Sequence, residues 1–118
     1  MAQAGTYDIA FARNTSVSIN FNLKDSAGDP VDLTNYTVTA DVVGESNIVP
    51  LGRYELSPTK ADAVNGVINV AMTAAQTGSF SPTSGTNQPS WDLLIEDASS
   101  FVTKILKGIV SVRETQTT

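Results

Sequence analysis

A chain of 118 residues, 41% of them apolar, has the length of one domain and enough apolar matter for a single core. It contains no cysteine and no histidine, which removes disulfides, thiolate ligands, the usual general base and the usual zinc ligand together. Seven basic residues against twelve acidic ones leave a net charge of −5, the wrong sign for a surface that must displace counterions from nucleic acid.

Met1–Ala4 has neither a basic flank nor an apolar stretch, so it is not expected to be a signal peptide. No later run is long enough to cross a bilayer as a helix. A first strand is expected over residues 5–13, with Tyr7, Ile9 and Phe11 on one face. Asn14 and Thr15 turn it into a second strand. There Val17, Ile19, Phe21 and Leu23 alternate with Ser18, Asn20, Asn22 and Lys24, which gives one buried face and one wet face. Asp25, Ser26, Gly28 and Pro30 make the next turn. After the Val31–Tyr36 link, Val38, Ala40 and Val42 alternate with Thr37, Thr39 and Asp41. These two strands are expected to form one corner of a sheet.

From Gly44 to Pro50 the alternation fails, and a loop or frayed edge is expected. Leu51–Leu56 reads as a short strand with Tyr54 and Leu56 on one face, broken by Pro58, Thr59 and Lys60. Asn65-Gly66 is a turn dipeptide just ahead of a strand carrying Ile68, Val70 and Met72. Thr73 is placed to cap a helical turn through Thr77, since Ala74, Ala75 and Gln76 are good helix formers. Residues 78–90 read as a loop crossing from one sheet to the other. Trp91, Leu93 and Ile95 then alternate with Asp92 and Glu96, and Asp97–Ser100 turns the chain into a last strand. Gly108 is expected to mark a bulge or kink in that strand.

Seven to eight short strands with almost no helix predict one all-β domain over residues 1–118, an antiparallel β-sandwich with frayed tails at 1–4 and 114–118. Phe21, Leu23, Val70, Trp91, Leu93 and Val112 are the expected core between the sheets. Trp91 either fills the gap between them or offers a stacking platform to carbohydrate. Tyr36 either bonds back to the backbone as a corner tyrosine or closes one end.

Two acidic groups could carry chemistry. Asp25, Asp29 and Asp32 share one turn, where three carboxylates could hold calcium, although the spacing is not that of an EF-hand. Aspartates in such turns more commonly accept backbone amides. Asp92, Glu96 and Asp97 raise the paired acids of glycoside hydrolysis, which needs a cleft and a fixed separation. Two of them would share the outer face of one strand, where solvated charges are usual. No phosphate loop is present. Asn14-Thr15-Ser16 and Asn35-Tyr36-Thr37 match a glycosylation pattern that is common by chance. The residues point to no catalytic role, no cofactor and no metal.

The run Gly28-Asp29-Pro30-Val31-Asp32-Leu33-Thr34-Asn35-Tyr36-Thr37-Val38, entered from a strand ending in Lys24-Asp25, resembles the immunoglobulin-like domain of baseplate, tail and fibre-attachment proteins of tailed bacteriophages. Gly5–Tyr7 is similar to that family's opening strand and residues 74–77 to its short helical link. Trp91–Ile95 and Gly108–Val112 are similar to its closing strands. The resemblance implies an immunoglobulin-like sandwich and an assembly role, with no catalytic residues. It implies a virion protein made in the bacterial host cytoplasm, whose partners are other virion proteins in multiple copies. A host-glycan-binding module, using Trp91, Tyr54 or the 78–90 loop, and a capsid decoration protein are the alternatives.

Contacts would then carry the function. Gly5–Arg13 and Tyr54–Leu56 are candidate sheet edges. Val43, Ile48, Val49 and Leu51 are the apolar residues expected to be most exposed, and Ile48, Val49 and Leu51 are the candidate partner contacts. The competing reading of the 44–52 loop is that it covers an open end of the sandwich.

Overall fold

The computed structural model describes residues 5–83 and 87–114. The tail expected at 1–4, residues 115–118 of the tail expected at 114–118, and residues 84–86 of the crossing loop lie outside them.

Alternating sequence becomes two sheets around one core. In chain order the strands are β1 Gly5–Thr6, β2 Ile9–Ala12, β3 Val17–Asn22, β4 Thr37–Val43, β5 Arg53–Glu55, β6 Thr59–Asp62, β7 Val67–Met72, β8 Ser90–Glu96 and β9 Val102–Arg113. One sheet runs β1-β9-β8-β4-β5, with β2 also on β9, and the other runs β3-β7-β6. The arrangement is all-β and sandwich-like.

The expected corner between β3 and β4 is instead a crossing between sheets. β3 pairs with β7, and the facing pairs Val17–Met72, Ile19–Val70 and Phe21–Ile68 turn one apolar face inward. β4 pairs with β8, where Val42 faces Trp91 and Ala40 faces Leu93. Period-2 patterning shows which face of a strand is buried, but both strands would read the same in one sheet or in two. β6 occupies Thr59–Asp62, where a break was expected. All four of its residues are exposed, so no apolar alternation marked it. Pro58 lies just outside, where its missing N–H costs no ladder bond.

The first strand departs most from expectation. β1 and β2 pair with β9 in parallel, so the assembly is not purely antiparallel. They are separated at Tyr7 and Asp8, where the chain passes directly over Gly108: a Cβ there would lie 2.1 Å from the Tyr7 carbonyl oxygen. Tyr7 is partly exposed instead of buried with Ile9 and Phe11. Gly108 therefore serves close approach, and the register of β8 and β9 does not shift there. The bulge falls earlier, between Leu93 and Leu94, which face Leu106 and Lys104. Ile105 is the extra residue. It lets two adjacent side chains, Ile105 and Leu106, both pack against the core.

The helical turn forms as its residues predict. In α1, Ala74–Thr77, the Thr73 hydroxyl accepts the Gln76 amide while the Gln76 side chain accepts the Thr73 amide. This reciprocal cap satisfies two donors that a short helix leaves open.

Trp91 sits at the centre of the core, 2% exposed, with its ring 5.8 Å from that of Phe21. Its indole N–H donates to the Tyr7 carbonyl at 2.7 Å. Phe21, Val70, Leu93 and Val112 are buried as expected, whereas Leu23 is only half-buried. Leu33 and Phe80, both in connecting segments, are fully buried. Phe80 packs on Phe11 and Tyr54. Replacing Trp91 by alanine removes the largest core side chain and leaves the Tyr7 carbonyl without its donor. The expected loss is about 3–5 kcal/mol, read as a fall in the urea midpoint. A midpoint unchanged from the parent would show that Trp91 does not hold the sheets together.

Candidate functional site

The sequence placed its candidate contacts in the 44–52 loop, and the structure divides them. Ile48 is 3% exposed and Val49 0%, so both belong to the core and neither is free to meet a partner. Their burial has a local cause. The amides of Ile48 and Val49 both donate to the Glu45 carbonyl, folding the loop back under itself. The Ile48 carbonyl then accepts the Ser81 amide, which ties the loop to the crossing segment. The reading in which the loop covers one end of the sandwich describes these two residues.

Leu51 is the opposite case. It is 97% exposed and holds φ 57°, ψ 17° inside a 3-10 turn over Pro50–Gly52. The left-handed region costs a residue with a Cβ roughly 1–2 kcal/mol. The turn is nonetheless pinned: Gly52 donates its amide to Val49, and the Gly44 amide donates to the Gly52 carbonyl. The loop thus holds a leucine outward on a braced tip.

At the other end of β4 lies a cleft of about 660 Å³. Its apolar lining includes Leu23, Val31, Tyr36, Ile95, Phe101 and Ile105. Lys24, Asp25, Asp97 and Lys104 provide charge around it. Tyr36 packs against the core and lines this cleft, which is the end-closing role. No hydrogen bond of the corner type is made by its hydroxyl among the described residues. Phe101 is 59% exposed beside the cleft. A smaller depression on the outer face of the larger sheet includes Val43, Ile109, Asp41 and Asp92. There Arg53 pairs with Asp41 and Lys104 with Asp92.

The acidic clusters do not converge. Asp25 Oδ1 accepts the amides of Ala27 and Asp29 at 2.9 and 3.0 Å. Asp32 Oδ1 accepts the amide and hydroxyl of Thr34. The hydroxyl of Thr34, and then its amide, hold the Asp32 carboxyl below the usual carboxylate range. These are turn-forming contacts, and among the described residues no group of three acidic side chains is placed to hold a metal. Of the second set, Asp92 pairs with Lys104 at 3.4 Å, while Asp97 closes the β8–β9 turn by accepting the amides of Ser99 and Phe101 and the Ser99 hydroxyl. Trp91 is buried and offers no platform to a sugar. Tyr54 is half-buried, its ring 5.2 Å from Phe80.

The edge expectations are met in position: β1 with β2 and β5 lie at the two sides of the larger sheet. The cleft escaped the sequence reading because its lining comes from four separated segments that no local pattern links. No helix among the described residues is long and apolar enough to cross a membrane. No family model matches the chain, and comparison with curated proteins returns no match.

The division of the loop is testable by paired charges. Ile48→Asp buries a carboxylate and should unfold the domain or lower its melting temperature by more than about 10 °C. Leu51→Asp should leave the melting temperature within a few degrees. Equal loss from both would mean that Leu51 also packs inward.

A second test concerns acid. The Phe101 amide, then the Ser99 hydroxyl, stabilise ionised Asp97 and lower its pKa, against a small opposing effect of burial. A depressed folded-state value means the contribution is complete above the unfolded carboxylate pKa and disappears as pH falls through the folded one. Exchange protection of the Phe101 amide, corrected for intrinsic rate, should persist through the ordinary carboxylate range and drop below it. Asp97→Asn should abolish that pH dependence; an unchanged acid profile would assign it to another group.

Proposed function

We propose that this chain is a structural virion protein of a tailed bacteriophage, an immunoglobulin-like module that joins or decorates tail, baseplate or fibre components. The observation that carries the reading is the strand order. In an immunoglobulin-type sandwich, strands B, E and D form one sheet and C, F and G the other, with C′ added beside C in variable-type domains. The order β3-β7-β6 corresponds to B-E-D, and β9-β8-β4-β5 to G-F-C-C′. That correspondence supports the likeness drawn from Asp29–Tyr36, which forms the connection between B and C.

One departure is Trp91, which lies on the strand corresponding to F rather than C. It fills the space between sheets without a disulfide, because the chain has no cysteine. Asp25, Asp32 and Asp97 serve turns and Asp92 an ion pair, which favours a non-enzymatic role. Burial of Trp91 removes the main support for a glycan-binding module.

The test is direct detection in the particle. Purified virions, digested and quantified by mass spectrometry, should contain the protein at a fixed multiple of a known tail component. Immunogold labelling should place it on tail or baseplate. Label confined to the head would replace this reading by capsid decoration. Absence from purified particles would reject a virion role.

A further inference from the structure

We propose that two copies of this chain pair edge to edge through β3, antiparallel about a two-fold axis at Asn20, so that their two smaller sheets become one continuous sheet. The inference goes beyond the virion reading and does not require it, since it concerns the purified protein alone.

The fold leaves four sheet edges, and three of them carry the features that keep an edge from pairing with another chain. On the larger sheet, β1 and β2 are two and four residues long and are interrupted at Tyr7 and Asp8. β5 has three residues, with Arg53 and Glu55 exposed. On the smaller sheet, β6 follows Pro58, carries Lys60 and Asp62, and shifts register against β7. β3 has none of these features. Its six residues, Val17–Asn22, stay in unbroken register with β7 and include no charge, proline or glycine.

The direction of its free backbone groups follows from one hydrogen bond. The Leu23 amide donates to the Gly66 carbonyl, and bonded residues alternate along an antiparallel pair. Val17, Ile19 and Phe21 therefore turn their backbone groups toward β7, and Ser18, Asn20 and Asn22 turn theirs outward. Among the described residues no strand or loop bonds to that side. Such a row of donors and acceptors takes an extended chain.

Self-complementarity makes that chain a second β3. With Asn20 opposite Asn20 of the second copy, Ser18 lies opposite Asn22 of that copy, and every outward residue of both strands is paired. The same register sets Ile19 against Phe21 of the second copy on the core side and keeps Ser and Asn together on the wet side. A slip of one residue would set apolar against polar side chains. A slip of two would carry an outward residue past the strand, to Ser16 or Lys24. The side chains at the axis match as well. The Asn69 side chain donates to Ser18 Oγ at 2.9 Å and to Asn20 Oδ1 at 2.8 Å, which fixes the row and leaves Asn20 Nδ2 to donate across the axis. Each Asn20 thus offers the other a donor and an acceptor. No charge lies between Asn14 and Leu23, so the seam brings no like charges together in a chain of net charge −5. Val17 and Ile19 are only half-buried in the single molecule and gain apolar neighbours from the second strand. The contact uses one patch twice and closes at two copies.

Sedimentation velocity of the purified protein should show a monomer converting to a dimer, and no larger species, as concentration rises. Amide exchange read by NMR should slow with concentration at Ser18, Asn20 and Asn22 and stay constant in β5 and β6. Asn20→Lys places two like charges at the axis and should weaken dimerisation at least about tenfold. Thr59→Lys makes the same charge change on the β6 edge and should leave it unaltered. Both side chains are exposed, and melting curves confirm that each variant is folded. The absence of cysteine allows a second readout. Opposed bonded residues have Cα atoms about 5.5 Å apart, within reach of a disulfide, so oxidised Asn20→Cys should cross-link faster than Thr59→Cys. The proposal is overturned by a parent that stays monomeric up to about 1 mM, by association that leaves exchange at Ser18, Asn20 and Asn22 unchanged, or by Asn20→Cys cross-linking no faster than Thr59→Cys.

Discussion

The hydrogen bond from the Trp91 indole to the Tyr7 carbonyl is the contact on which the rest of the arrangement turns. It joins residues 84 positions apart and ties the opening segment to β8, while the Tyr7 amide ties it to Lys107 on β9. The opening segment is interrupted at this point, so Tyr7 and Asp8 fall outside its regular pairing. The indole accounts for the Tyr7 carbonyl, while the Asp8 carboxylate accepts the Ile109 amide. A carbonyl left unpaired there would cost about 1–3 kcal/mol. The geometry also requires Gly108, because any Cβ would occupy the space of the Tyr7 backbone. One tryptophan and one glycine thus allow β1 and β2 to pair in parallel along β9.

Around this contact, aromatic rings link the layers. Tyr7 meets Phe21 edge-on at 5.0 Å, and Phe21 stacks on Trp91. Phe21 belongs to the three-stranded sheet and Trp91 to the larger one, so the sequence of rings crosses the core. A second group, Phe11, Tyr54 and Phe80, works near the Leu51 end. Its middle member comes from a loop. Phe80 can lie fully buried there because the loop is satisfied on both sides: the Phe80 amide donates to the Thr77 carbonyl, and Arg13 Nε donates to the Phe80 carbonyl at 2.6 Å. A buried loop needs such partners for each backbone group.

Strand faces were legible in the sequence wherever apolar and polar residues alternate, as in β3, β4, β7 and β8. The helical turn was legible from Thr73 as a cap and from Ala74, Ala75 and Gln76 as helix formers, because both are local signals; the reciprocal bond from the Gln76 side chain came only with the structure. Sheet membership was not legible, since alternation is blind to which strand lies alongside. β6 was hidden because both its faces are wet. Leu33 and Phe80 were hidden because a single apolar residue among turn residues has no period. For the candidate contacts, the sequence located the loop and missed its orientation. Ile48, Val49 and Leu51 are similar in hydrophobicity, and only the backbone reversal at Glu45–Val49 decides which of them points inward.

Leu51 is the residue that fold stability explains least. Two successive positions, Leu51 and Gly52, have positive φ. Glycine at the second meets that demand at no steric cost, whereas leucine at the first does not. The side chain gains little from packing in the single molecule, being almost wholly exposed. Glycine or asparagine would hold the same turn with less strain and less apolar surface in water. Local strain persists when surrounding structure over-determines it, and here the buried pair Ile48 and Val49 provides that restraint. The cost of the tip is therefore offset by the core beneath it. The restraint beneath the tip, and not packing of its own side chain, is what holds leucine in this conformation.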